Sequence, residues 1–394
     1  MEQVKHLLGI SGGKDSAALS IYMSQMYPTL DIEYYTCDTG KELKETYDLI
    51  GRLNSVLGKD IELYKSMDED NSPMKNPFDH FLAMYGGYLP SATSRWCTNK
   101  MKLQPFEKYV GDQPTISYVG IRGDENREGY ISNRENIQTI FPFRKNIWSE
   151  DVIKKLLSNS NIKELSGYYQ QHSSQNILVN ALQYAEQLIS PKFTQTQKLN
   201  ALMDVDLKLF NKVVFEFLKT TDYPIGKLDE FPLIENDEII GLNDVFQILE
   251  ESGVGVPAYY KPIEYQVEID GELKKGTYSR SRSGCFFCFY QQKIEWVWLL
   301  EQHPHLFEKA MEYEKKGYSW VQNESLEQLS MPKRVESIKR EHLKRMKAKY
   351  KNLKKDTDWQ DNILGIDAAK DTDNEFWLEE LKDAEGDGCA SCFI

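Results

Sequence analysis

One junction near the amino end limits what this chain can fold into more than any other feature. The apolar run Val4 to Ile10 (VKHLLGI) reads as a buried parallel strand, and apolar residues at helical spacing begin at Ser16. Between them lies Ser11-Gly12-Gly13-Lys14-Asp15-Ser16. Glycines without a Cβ let a main chain turn sharply and bring several N–H groups to bear on an anion. The following helix adds its own unpaired N–H groups and its dipole. Lys14 supplies a point charge, and Ser11 and Ser16 supply hydroxyls. A Walker-type phosphate loop needs a longer glycine spacing and no acid after the lysine. Here Asp15 follows Lys14, and a carboxylate there suits magnesium held among phosphates. The plain alternative is a strand-to-helix turn that holds nothing.

The following segments repeat this rhythm. Ile32 to Cys37 (IEYYTC) reads as a second strand, then comes Asp38-Thr39-Gly40 and a helix over ELKETYDLIGRLNSVLG. IELYKS is a short third strand, residues 71–94 read as loop, MKLQPFEKYV as helix, and Thr115 to Ile121 as a further strand. Strands alternating with helices predict an α/β fold, a doubly wound parallel sheet. Residues 150–230 break the pattern. They are polar, rich in Gln, Asn and Lys, and helical in spacing, and they read as a helical insertion. The expected organisation is thus 1–150 for the domain that carries the glycine-rich turn, 151–230 for the insertion, 231–330 for a part carrying Cys285 and Cys288, and 331–394 for a tail. A helix through NDVFQILEE should end at Gly253 or Gly255, and KIEWVWLLEQHP should form another, its tryptophans in the core.

Composition removes whole classes. The net charge of -13, from 48 basic and 61 acidic residues, argues against a protein coated in positive charge. No stretch has the ~18 uninterrupted apolar residues of a membrane span. The start lacks the pattern of a signal peptide, so a cytoplasmic protein is expected. Six cysteines are too few for a disulfide scaffold. Four of them form the pairs Cys285/Cys288 and Cys389/Cys392, a spacing that more often binds metal or does redox chemistry. No histidine lies near the first pair at ligand spacing, and a zinc knuckle or buried thiols are its bland readings. Cys37 reads as a packed small side chain.

The turn SGGKDS resembles the pyrophosphate loop of the N-type ATP pyrophosphatases. Asp38-Thr39-Gly40 with Glu45-Thr46, Arg95-Trp96-Cys97-Thr98, Gly120-Ile121-Arg122-Gly123-Asp124-Glu125 and Arg282-Ser283-Gly284-Cys285-Phe286-Phe287-Cys288 are similar, in that order, to segments of the phosphoadenylylsulfate (PAPS) reductase-like branch. Among its members the chain looks closest to the ATP-pyrophosphatase component of bacterial DNA phosphorothioation (phage-defence) systems. The resemblance implies an adenine-nucleotide alpha-hydrolase-like sheet that binds ATP with magnesium and cuts it between the α- and β-phosphates. Ser11, Gly12, Gly13, Lys14, Asp15, Ser16, Asp38, Thr39, Gly40, Gly120 and Arg122 would bind the nucleotide, with Asp15 on magnesium. Lys14, Asp15, Arg95 and Arg122 would be catalytic, the cations neutralising charge on the leaving group. An exposed Arg122–Asp124 ion pair is the alternative there.

The same resemblance brings Cys97 to Cys285 and Cys288 as ligands of a [4Fe-4S] cluster, its fourth position open or closed by Cys389 or Cys392. It implies a cysteine desulfurase as sulfur donor, DNA as substrate and companion modification proteins as partners. Cluster-bearing sulfonucleotide reductases have a Cys-Cys pair where this chain has Cys97-Thr98, which weakens sulfate reduction as a function. A non-catalytic nucleotide-sensing module is a third reading. From Lys333 to Lys355 eleven basic residues fall on an expected exposed helix that could track phosphates, or simply be solvated. Tyr278, Arg280, Arg282, Lys274 and Lys275 form a second expected basic and aromatic patch.

Overall fold

Strand β1 (Lys5–Gly9) is the middle strand of five, all parallel, in the order β3-β2-β1-β4-β5. The computed structural model describes residues 3–67, 76–125, 131–132, 134–315 and 318–364. Leu7 and Leu8, on opposite faces of β1, are both fully buried, because helices cover the sheet on both sides. Strand β2 (Ile32–Thr36) pairs with β1 on one side and β4 (Thr115–Tyr118) on the other, with Leu8 opposite both Tyr34 and Tyr118. Strands β3 (Ile61–Leu63) and β5 (Ile137–Ile140) form the edges. The order reverses between β1 and β4, so the crevice beyond their carboxyl ends is the switch point where such sheets take ligands.

Helix α1 (Lys14–Met26) follows β1, and α2 (Lys44–Leu57) follows β2. The stretch expected as loop contains a helix, α3 (Pro77–Met84). Asn76 caps it by accepting the Asp79 N–H at 3.2 Å, and Pro77 fits its first position, so two turn-type residues start a helix here. A short α-turn, α4 (Trp96–Thr98), runs through a π turn at Asn99–Leu103 into α5 (Gln104–Val110).

Helices α6 (Glu150–Leu156), α7 (Ile162–His172), α8 (Gln175–Ala185), α9 (Gln195–Val205) and α10 (Leu207–Leu218) follow the sheet. Their apolar faces join the core that covers α1: Trp148, Val152, Leu165, Phe210 and Val214 are continuous with Leu19, Met23 and Ile116. Helix α11 (Leu242–Glu251) packs on α1. A hairpin, β6 (Ile263–Ile269) and β7 (Glu272–Tyr278), turns at Asp270-Gly271, both at positive φ. It belongs to a second core with α12 (Lys293–Gln302), α13 (Pro304–Tyr313) and α14 (Leu326–Leu329). Trp296 and Trp298 are buried in it, as expected, because every side of this helix from Ile294 to Leu299 is covered.

The basic helix, α15 (Pro332–Leu364), is not a freely solvated rod. Ile338, His342, Leu343 and Met346 are buried against the second core, Arg334 pairs with Glu324 at 2.5 Å, and Lys339 pairs with Glu301 at 2.6 Å. Part of its charge is therefore spent on docking. Among the described residues no helix is long and apolar enough to cross a membrane.

Candidate nucleotide site

The turn between β1 and α1 is held from both ends and from below. Ser11 Oγ lies 3.1 Å from Ser16 Oγ, and the Ser11 N–H donates to Ser16 Oγ at 3.2 Å, closing the bend on itself. Gly12 has φ +73°, open to glycine but strained for other residues, and a Cβ there would meet Thr46 Cγ2 at 2.3 Å. The loop floor comes from far along the chain. Tyr259 donates its hydroxyl to Gly12 O at 3.2 Å, and the Lys14 N–H donates to Tyr260 Oη at 3.4 Å. A Cβ on Gly13 would stand 2.6 Å from Ser283 Oγ, so the Arg282-Ser283-Gly284 segment lies directly on the loop.

Lys14, Asp15 and Arg122 form a buried ionic cluster at this point. The helix begins at Lys14, so Lys14 and Asp15 sit in its first turn, both at most 4% exposed. Lys14 Nζ is 3.1 Å from Asp15 Oδ2, and Arg122 Nη1 is 2.6 Å from Asp15 Oδ1. Burial works against the Asp15 carboxylate, but the charges of Lys14 and Arg122 more than offset it and hold its pKa at about 2. Arg122 follows β4 and also pairs with Asp124 at 2.9 Å and Glu125 at 2.8 Å. Arg122 is 0% exposed, so the exposed ion pair entertained from the sequence is not what forms. Gly120 makes the approach possible, since a Cβ there would come within 2.9 Å of Asp15 O.

A second cluster surrounds the end of β2. Asp38 Oδ1 accepts the Gly40 N–H at 2.7 Å and the Tyr47 hydroxyl at 2.8 Å. Glu42 accepts from Thr39 at 2.6 Å, Tyr47 at 3.2 Å and the Lys41 N–H at 3.1 Å. Burial and the neighbouring Asp38 push its pKa up to about 7. Thr39 Oγ1 also lies 3.2 Å from Cys285 Sγ. Cys97 comes from one segment and Cys285 and Cys288 from another; Cys97 feels the charge of Cys288, and Cys285 that of Cys288 and Cys97. Burial raises the pKa of Cys97 to about 11 and lifts that of Cys285 well above the ordinary thiol range, with Cys288 and Glu42 adding to the effect. Three thiols are the donor chemistry of an iron–sulfur ligand set. As placed, no three His, Cys, Asp or Glu groups among the described residues stand at the spacing of a metal shell.

Residues 5–175 match the family model of the phosphoadenosine phosphosulfate reductase domain. This chain carries such a domain. The relatives it matches include an uncharacterized protein of Methanocaldococcus jannaschii, 26% identical over 40% of this chain and 39% of the relative. An uncharacterized nin region protein of Escherichia phage lambda is 29% identical over 30% of this chain and 49% of the relative. The chain thus spans less than half the length of the curated relatives it matches. No solved structure matches it.

Within the phosphoadenosine phosphosulfate reductase domain lie the loop, Asp38 to Gly40, Arg95, Cys97, Gly120 and Arg122. Tyr259, Tyr260, Ser283, Cys285 and Cys288 lie beyond its matched limit yet complete the site. Arg95 is exposed on the cysteine side, its guanidinium 5.6 Å from the Tyr290 ring, which Arg282 approaches at 5.9 Å. Cys389 and Cys392 fall outside the described residues. Cys37 donates to Lys102 O at 3.9 Å, and burial raises its pKa to about 12.

Of the second expected patch, Lys275 is exposed and Lys274 and Arg282 are half-buried, but Tyr278 and Arg280 lie inside. Tyr278 is 2% and Arg280 1% exposed. Tyr278 donates to Glu301 at 2.6 Å, and Arg280 donates to Cys285 O at 3.1 Å. Tyr278 ends β7 and Arg280 lies two residues beyond it; the strand's sequence, ELKKGTY, has no apolar alternation that could have placed them inside. Tyr259, Tyr260 and Glu42 carry no motif and were not legible as site residues.

Proposed function

We propose that this chain cleaves ATP to AMP and pyrophosphate and places the adenylate on an acceptor, a DNA backbone phosphate, so that sulfur can replace one of its oxygens. The observation that carries the reading is the SGGKDS turn at the sheet's switch point with Lys14, Asp15 and Arg122 gathered behind it. An acceptor oxygen attacks the α-phosphorus, the bond to the bridging oxygen breaks, and pyrophosphate leaves with the electron pair. The first-turn N–H groups of α1 favour the departing anion. Lys14 and Arg122 offset its charge, the kind of stabilisation that contributes most to such reactions. Asp15 would hold magnesium, whose charge draws electron density from the phosphate oxygens. Cys97, Cys285 and Cys288 would hold an iron–sulfur cluster able to carry sulfur, supplied in the cytoplasm by a cysteine desulfurase.

The test is incubation of pure protein with magnesium and ATP. AMP with pyrophosphate is expected; ADP, or no turnover with DNA present, removes the reading. The matched family's description favours a second reading, sulfonucleotide reduction. Sulfite released from PAPS in the presence of thioredoxin would establish it. For the cluster, anaerobic protein should carry iron and sulfide that Cys285→Ser loses, whereas stoichiometric zinc would point to a structural site.

A further inference from the structure

Three arginines from separate segments converge on one short stretch, Tyr290 to Gln292, just before α12. The guanidiniums of Arg95 and Arg282 lie 5.6 and 5.9 Å from the centre of the Tyr290 ring. From α15, Arg345 Nη2 donates to Gln292 Oε1 at 2.8 Å. An aromatic ring beside a guanidinium holds its planar fork in place, and a fork already fixed loses little freedom when it takes an anion.

This stretch adjoins both clusters of the site. Cys288 precedes Tyr290 by two residues, and Cys97 follows Arg95 by two. Arg282 is joined to Ser283, whose Oγ would stand 2.6 Å from a Cβ on Gly13. The arginines are thus a few residues from the thiols on one side and from the glycine bend on the other. The chain as a whole carries a charge of -13, so it can hold a polyanion only where cations are concentrated. Around Arg345, α15 keeps the same sign: Lys344 and Lys347 are exposed, and no acid lies between Glu341 and Asp356.

We propose that Arg95, Arg282 and Arg345 form a clamp for the phosphate backbone of double-stranded DNA, gripping phosphates that flank the one to be modified. This rests on the reading that a DNA phosphate is the acceptor, and it moves Arg95 from the leaving pyrophosphate to that acceptor. Guanidinium forks match phosphate oxygens two at a time. A ring engaged by guanidiniums supports them rather than stacking on a base, so the clamp holds backbone and does not read sequence.

Fluorescence anisotropy tests it, with a labelled DNA duplex of about 24 base pairs titrated with the full chain between about 50 and 200 mM salt, without ATP. Arg95→Gln, Arg282→Gln and Arg345→Gln should each lower the slope of log affinity against log salt by about 1. The triple variant should bind at least about tenfold more weakly. Arg95→Lys and Arg282→Lys keep the charge and should retain the slope, which separates lost charge from lost fold. Lys275→Gln, on the exposed hairpin, should match the wild type. No binding at the lowest salt, a triple variant equal to wild type, a slope that lysine does not retain, or an equal loss in Lys275→Gln overturns the proposal. Tighter binding of an RNA duplex of the same length also overturns it and gives the clamp to RNA. Because no nucleotide is present, failure here leaves ATP cleavage untouched, and failure of ATP cleavage leaves this result standing.

Discussion

Replacing Gly120 by alanine adds one methyl group where the end of β4 meets the Ser11–Ser16 turn. The new Cβ would stand 2.9 Å from Asp15 O, 3.0 Å from Asp15 C and 3.2 Å from Ser16 N. Carbon contacts settle at about 3.5–4.0 Å, so the first turn of α1 must retreat by roughly half an ångström or more. These neighbours are main chain and cannot rotate aside. Overpacking of this kind costs about 1–3 kcal/mol. The same retreat pulls Asp15 from the 2.6 Å bond to Arg122. Misplacement by about 1 Å can cost a reaction about 100-fold, so a loss of roughly 10- to 100-fold in ATP cleavage is expected. Urea unfolding followed by circular dichroism reads the first effect, and AMP release reads the second. Gly167→Ala is the control: it lies in α7 with nothing within 4 Å of its Cβ, and should gain about 0.5–1 kcal/mol. Wild-type stability and turnover in Gly120→Ala would show that strand and turn are not in contact.

Arg122→Ala removes the buried cation shared by Asp15, Asp124 and Glu125 and should lower unfolding free energy by about 3–5 kcal/mol, as for a broken buried pair; a loss under ~1 kcal/mol would match an exposed pair instead. Asp15→Asn keeps the shape of the side chain and should retain the native circular dichroism spectrum while ATP cleavage falls below detection; unchanged turnover removes Asp15 from the magnesium role. Glu324, held by Arg334 and Lys293, has its pKa lowered from 4.5 to about 2. Because the folded value is the lower one, its stabilising share, up to about 3 kcal/mol, is present above pH 4.5 and lost as pH falls toward 2. In Glu324→Gln, unfolding free energy measured across that window should vary less with pH than in wild type, and an identical slope would refute the pairing.

The central strands were legible because both faces are buried, so Leu7, Leu8 and Ile116 leave continuous apolar runs. Strand β5 was not, since it is only four residues long and two of them, Gln138 and Thr139, are polar. The β6–β7 hairpin had a readable sign in Asp270-Gly271, whose positive φ angles suit a tight turn, but its charged outer face hid the alternation. Motif residues placed Lys14, Asp15 and Arg122 on one structure because each follows a strand end. Nothing local to Tyr259 or Tyr260 could say that their hydroxyls reach the loop, since that contact exists only once two cores have closed on each other.

That contact also sets an order of events during synthesis. A nascent chain of 175 residues would already contain every segment of the matched domain, but not the two phenols and the serine on which its glycine bend rests. The supported bend therefore matures late, when most of the polypeptide has left the ribosome, and a fragment cut at the domain limit would inherit the signature without its supports.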